Sequence, residues 1–132
     1  MKKDIPLKKV EDIAIAIIPS SEDENFWDVY ILNLKDESIS NVLINSKGYG
    51  TKDGETVKTS QLRYFYEQIG PQMAVLIEPL PVELTQLTNE FWVSFSFDNF
   101  MYDKKYVFVR GSILETNFTE IPIVLKKGIM IR

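Results

Sequence analysis

The run Phe91-Trp92-Val93-Ser94-Phe95-Ser96-Phe97 decides the fold class. Phe91, Val93, Phe95 and Phe97 recur at every second position, and Trp92, Ser94 and Ser96 fall between them. A period of two belongs to a strand with one face on a core, not to a helix, whose faces repeat every 3.6 residues. Working outward, residues 73–78 read as another strand, closed by Pro79 and Pro81, and residues 82–87 as one helical turn. On the other side, residues 99–103 read as a hairpin loop and residues 106–110 as the strand that returns.

The same texture runs through the rest of the chain. Ile13, Ile15 and Ile17 share one side of a short strand ending at Pro19, and residues 20–25 form an acidic polar loop. Residues 26–34 are aromatic and β-branched. After a turn at Asp36-Glu37-Ser38, residues 39–45 read as the returning strand. Asp53-Gly54 is a two-residue hairpin signal, because both turn positions need positive φ. Residues 59–69 admit two readings. Ser60 could cap a helix stopped by Gly70-Pro71, but Tyr64-Phe65-Tyr66 favours a strand, and strand is preferred. Residues 121–125 and 129–131 would flank a last hairpin turn at Lys126-Lys127-Gly128.

About eight or nine short strands, with turns roughly every 8–12 residues, make a single all-β domain over residues 1–132. The expected architecture is an antiparallel β-sandwich of immunoglobulin-like build, with a small β-barrel as the alternative.

Composition removes much chemistry. The 132 residues include no Cys and no His, and the net charge is −4. Without them there is no disulfide, thiolate nucleophile, zinc thiolate site, imidazole base or Ser-His-Asp triad. A metal would need oxygen ligands alone. No cofactor and no catalytic residue is expected. The longest uncharged apolar run, residues 13–18, has six residues. A secretory h-region needs roughly 7–15 and a membrane helix about 20, so a cytoplasmic location away from membranes is expected.

Three residues stand out as candidate binding residues: Lys47, Tyr49 and Trp92. Lys47-Gly48-Tyr49-Gly50 matches the first half of an RNA-binding RNP1 pattern, but Thr51-Lys52-Asp53-Gly54 supplies no second aromatic. The acidic balance also argues against nucleic acid, and a Gly-rich hairpin turn is the plainer reading. Trp92 shares its side of the strand with Ser94 and Ser96, so that side faces solvent unless another segment covers it. An exposed Trp on a sheet can anchor a partner. Asp98 and Asp103 are the best carboxylate pair, placed to hold a cation or act as acid and base if their loop brings them together. The ends are basic, with Lys2, Lys3, Lys8 and Lys9 at one and Lys126, Lys127 and Arg132 at the other, and could steer an acidic partner.

The stretches Asn45-Ser46-Lys47-Gly48-Tyr49, Asn89-Glu90-Phe91-Trp92-Val93-Ser94-Phe95 and Tyr102-Asp103-Lys104-Lys105-Tyr106-Val107-Phe108, followed by Asn117-Phe118 and Lys127-Gly128, resemble a family of small uncharacterised bacterial proteins. The resemblance covers most of the chain. Some members carry a name borrowed from the α subunit of phenylalanyl-tRNA synthetase. The chain is far shorter than a class II synthetase core, and Arg63, Arg110 and Arg132 sit in no ATP-binding motif. The resemblance therefore implies at most an accessory role in aminoacyl-tRNA synthesis. The residues themselves point to a non-catalytic module that binds a protein partner, using Trp92 and the Lys47–Gly50 stretch. A carboxylate- or cation-dependent enzyme is the rival, and an unprotected sheet edge would let a second copy pair.

Overall fold

The computed structural model describes residues 9–132. Ten strands alternate with short connections: β1 (Ile13–Pro19), β2 (Phe26–Asn33), β3 (Ile39–Lys52), β4 (Glu55–Lys58), β5 (Leu62–Ile69), β6 (Met73–Pro81), β7 (Thr88–Phe97), β8 (Phe100–Phe108), β9 (Thr119–Ile121) and β10 (Lys126–Ile131). The first sheet runs β6-β2-β1-β10-β9, and the second runs β4-β3-β7-β8. β5 pairs with β3 along residues 39–46, on the same edge that β4 takes along residues 49–52. All pairings are antiparallel. Among the described residues no ladder joins the two sheets. The molecule is an antiparallel β-sandwich, not a closed barrel.

The core lies between the sheets and follows from the alternation in the sequence. Ile13, Ile15, Ile17, Val29 and Ile31 face it from the first sheet, and Val42, Ile44, Phe91, Val93 and Phe95 from the second. Each such fully buried side chain contributes about 1.5–3 kcal/mol relative to exposure. β1 is buried on both faces, because Ala14, Ala16 and Ile18 join Leu32 and Ile121 in a second apolar cluster. Polar groups tie the layers at fixed points. The fully buried Tyr106 hydroxyl donates to the Ile13 carbonyl at 2.6 Å, from the second sheet to the first. The buried Asn33 amide donates to Glu37 and Gly70 carbonyls, each at 2.9 Å, and its carbonyl accepts from the Lys35 N–H at 3.0 Å. It thereby clasps both crossings at the end of β2, toward β3 and from β5 to β6.

Several sequence expectations need correction. β3 does not return along β2; it enters the other sheet and continues to Lys52. Lys47–Gly50 is therefore strand, and the turn is Asp53-Gly54, with φ of 53° and 82°. The β7–β8 turn is Asp98-Asn99, with φ of 50° and 66°, so β8 starts at Phe100 instead of after Asp103. Asp and Asn tolerate the left-handed region, which makes this pair equivalent to Asp-Gly as a hairpin turn. In the last hairpin, Lys126-Lys127-Gly128 belongs to β10, and residues 122–125 make the turn. There Ile123 has φ 70° and Leu125 φ 59°, conformations that ordinary turn chemistry does not assign to such residues. Within residues 59–69 the strand reading holds for β5, Leu62–Ile69, and residues 82–87 contain the 3₁₀ turn Val82–Gln86, as expected.

The basic ends are only partly in view. Lys2, Lys3 and Lys8 lie outside the described residues. Arg132 pairs with Asp12 at 2.6 Å, which places the end of β10 beside the start of β1. No helix among the described residues is long and apolar enough to cross a membrane.

Gly128 shows how closely β10 meets β1. A Cβ built there would lie 2.6 Å from the Ile17 carbonyl oxygen and 2.8 Å from Ile18 Cγ1. Gly128→Ala is expected to cost about 1–3 kcal/mol, because backbone must move to admit the methyl. Calorimetry should show Tm lower by several degrees, and an unchanged Tm would show that β10 can slide off β1. Alkaline pH gives a second check. Burial raises the ionisation of Tyr106 above its ordinary range, and burial followed by the Glu78 charge pushes Tyr64 up to about 12. An unfolded Tyr ionises near 10. The folded values are the higher ones, so the stabilisation is complete below about pH 10 and is lost as pH rises beyond it. The urea midpoint should fall between about pH 10 and 12, and Tyr106→Phe should flatten that fall.

Candidate functional site

The outer face of the second sheet gathers all three residues singled out in the sequence. Its geometry follows from register. The ladders place Asn45 opposite both Arg63 and Trp92, and Trp92 opposite Lys105, so Arg63, Asn45, Trp92 and Lys105 form one row across β5, β3, β7 and β8. The next row is Phe65, Leu43, Ser94 and Asp103. On the other side of Trp92, Lys47 stands opposite Glu90, and Glu90 opposite Val107. Side chains two apart on one strand share a face, so these rows form one continuous surface.

Exposure on this face is unusual for its residue types. Trp92 is 44% exposed, Leu43 39% and Phe65 61%. The segment Val82–Gln86 does not lie over Trp92. Instead it packs against β6 and β7 at the end of the sheet, and Asn89 donates to its Leu84 carbonyl at 2.9 Å. Trp92 is held in place by its neighbours: the Lys105 ammonium sits 5.0 Å from the ring centre. Such a cation–π contact contributes about 0.5–1 kcal/mol at an exposed site. Arg63 Nε donates to Asn45 Oδ1 at 3.0 Å and is thereby fixed along the same row.

Glu90 is the electrostatic centre of the face. Its side chain is only 10% exposed. Lys47 Nζ lies 3.6 Å from Oε2, Lys105 Nζ 4.0 Å from Oε1, and the Tyr49 hydroxyl donates to Oε1 at 3.2 Å. Burial, then the Glu90 charge and hydrogen bond, raise the Tyr49 ionisation above its ordinary value. Tyr49 is therefore neutral at physiological pH and serves as a donor. A carboxylate held by two ammonium groups and a phenol is an organiser of its neighbours, poorly placed for acid–base work on a substrate. Beside it, β4 and β5 part on the edge of β3 and leave a notch lined by Lys47, Tyr49, Thr56, Lys58 and Gln61. Thr59 closes the back of this notch, its Oγ1 accepting from Gly48 N–H at 2.7 Å and its own N–H donating to the Gly48 carbonyl at 2.9 Å.

The carboxylate pair does not form. Asp98 is exposed at the tip of the β7–β8 turn, whereas Asp103 is exposed on β8 opposite Ser94. The pairs Phe97–Phe100 and Ser94–Asp103 are three residues apart along the ladder, about 10 Å. Among the described residues no group of three or more carboxylates could hold a metal ion. Residues that the sequence reading passed over are Leu43, Arg63, Phe65, Glu90 and Lys105. Alternation in residues 62–69 puts Arg63 and Phe65 on one face once that segment is a strand, but nothing local says that it lies beside β3. No family model, no curated protein and no solved structure matches this chain.

Tryptophan emission tests the exposure directly. Trp27 is half-buried and packs edge-on against Phe118, with ring centres 5.6 Å apart, whereas Trp92 is open. Acrylamide should quench Trp92 several-fold more efficiently than Trp27, so Trp92→Phe should remove most of the quenchable emission. Equal quenching of the two would mean that the face is covered.

Proposed function

We propose that this protein is a non-catalytic binding module that engages a protein partner through the outer face of its second sheet. The observation that carries the proposal is the exposed Trp92–Leu43–Phe65 patch on regular, well-supported strands. Apolar side chains clustered on a rigid surface are what partners bury, and Trp is the most enriched anchor residue. Around the patch, Arg63, Lys47 and Lys105 are matched by Glu90, Asp103 and Glu67, the last being exposed two residues from Phe65 on the same face of β5. The partner that fits presents an apolar knob within a rim of mixed charge.

Leu43, Val107 and Met101 favour a polypeptide over a nucleic acid, because aliphatic surface offers nothing to stack a base upon. An immunoglobulin-like sandwich is our reading of the architecture, and it is compatible with recognition, although fold alone assigns no role. Among the described residues β8 pairs in a ladder with β7 alone, and its other edge is where pairing by a second copy would be sought.

The test is a pull-down from the native cytoplasm, with and without nuclease, comparing the wild type with Trp92→Ala. A stoichiometric protein that survives nuclease and is lost or weakened at least tenfold by Trp92→Ala supports the proposal. The variant should keep its Tm within a few degrees, since Trp92 is outside the core. A synthetase among the Trp92-dependent proteins would tie the module to aminoacyl-tRNA synthesis. Retention of nucleic acid alone, with affinity falling steeply in salt, would replace the proposal with single-strand binding.

A further inference from the structure

Behind the Lys47–Gly48 stretch, on the inner side of β3, lies a second and chemically different feature. β6 carries a bulge: Val29 pairs with Glu78 but Tyr30 pairs with Leu76, so Ile77 is the extra residue. The bulge resets the alternation, and both Ile77 and Glu78 are buried. Glu78 thus leaves the first sheet and reaches across the sandwich, where its Oε1 accepts from Ser46 Oγ of β3 at 2.7 Å. On β5 the Tyr64 hydroxyl is near enough for the Glu78 charge to add to burial in raising its ionisation. Glu78 is only 9% exposed, and among the described residues no Lys or Arg lies within ion-pair distance of it.

This carboxylate lines a cleft of about 270 Å³ whose other walls are mainly apolar, among them Leu62, Leu80, Leu84 and Phe91. A buried ion without a counter-ion is expensive, and such groups are normally paired. Ser46 brings a hydroxyl but no positive charge. A carboxylate offers about four lone-pair positions, so the Ser46 hydroxyl leaves room for more donors. Burial, then Glu78 itself, raise the ionisation of Tyr64 and Tyr66, so these hydroxyls stay neutral and leave the charge of Glu78 uncompensated.

The geometry points to a binding site for a small alkylammonium group, with the nitrogen donating to Glu78 and Ser46 and the carbon chain lying against Leu62, Leu80 and Leu84. The cleft is just below the roughly 300–1,000 Å³ of sites for drug-sized ligands, so the ligand is a few carbons long. Two sources share this chemistry, a free amine and the lysine side chain of a polypeptide. Lys47 and Gly48 line this cleft as well as the notch, but Trp92, Leu43 and Phe65 take no part in it, so the site does not depend on the apolar patch.

The experiment is a ¹H–¹⁵N NMR titration of the full chain with n-butylammonium chloride, N-acetyl-lysine methylamide and n-butanol. Saturable shifts at Ser46, Glu78 and Leu84 with either ammonium compound, and none with butanol, support the site. Tighter binding of the lysine derivative assigns it to a polypeptide, and tighter binding of butylammonium to a free amine. Glu78→Gln should weaken binding at least tenfold while Trp92→Ala leaves it unchanged. Should Glu78→Gln fail to fold, Leu84→Trp fills the cleft from its rim and should abolish the shifts with the carboxylate intact. Absence of saturable shifts, an equal response to butanol, or full binding by either variant overturns the site.

Discussion

The pairing of β3 with β7 is the constraint on which the rest of this molecule depends. β3 is 14 residues long and is the one strand that meets β4, β5 and β7. Its alternation sends Val42, Ile44, Ser46 and Gly48 inward and Leu43, Asn45, Lys47 and Tyr49 outward. A slip of one residue would exchange these sets, burying Lys47 and exposing Ile44, and the cost of each such exchange is several kcal/mol. The bulge between Ser40 and Leu43, with Asn41 at φ 51°, is the one place where the alternation is reset, before the functional stretch begins. With the register fixed in this way, Asn45 must face Trp92 and Lys47 must face Glu90. The outer face is therefore a consequence of how the core is packed.

The two faces of β3 carry opposite electrostatic problems and solve them differently. Outside, Glu90 is nearly buried but surrounded by Lys47, Lys105 and the Tyr49 hydroxyl, so its charge is balanced and helps to order the cations around Trp92. Inside, Glu78 is held by the Ser46 hydroxyl, with no cation within ion-pair distance among the described residues. Gly48 is the hinge between them. Its N–H and carbonyl both bond to Thr59, and a Cβ there would lie 3.1 Å from Thr59 Cγ2 and 3.2 Å from Asn89 Oδ1. The absence of a side chain lets the β4–β5 connection close down on β3 and gives the notch and the cleft a common wall.

Much of the architecture was legible because it rests on short-range physics. Phe91, Val93 and Phe95 could only be one face of a strand, and Asp53-Gly54 could only be a tight turn. What misled the sequence reading was local chemistry that the tertiary structure overrides. Ile123 and Leu125 adopt positive φ because Lys126 and Lys127 are taken into the β10 ladder, with Gly128 the residue that fits against β1. Asp98-Asn99 turned more tightly than expected, which moved Asp103 onto a strand and separated it from Asp98.

The candidate site divides in the same way. Trp92, Lys47 and Tyr49 could be picked out from the sequence, since an aromatic among serines and a Lys-Gly-Tyr-Gly stretch are unusual on a strand face. That they share a surface, with Arg63, Phe65, Glu90 and Lys105 completing it, could not be read there, because strand order and register are set by contacts between residues distant in the chain. Glu78 was the least legible of all. Its sequence context, between a strand and Pro79, looks like an ordinary exposed carboxylate, and only the bulge in β6 turns it inward. By itself, then, the sequence determined the all-β class, the alternating core and the exclusion of thiol and imidazole chemistry, since these follow from residue type and spacing. The tertiary structure alone decided which side chains meet across the sheets and which of them water reaches, because both depend on packing between segments that no local pattern encodes.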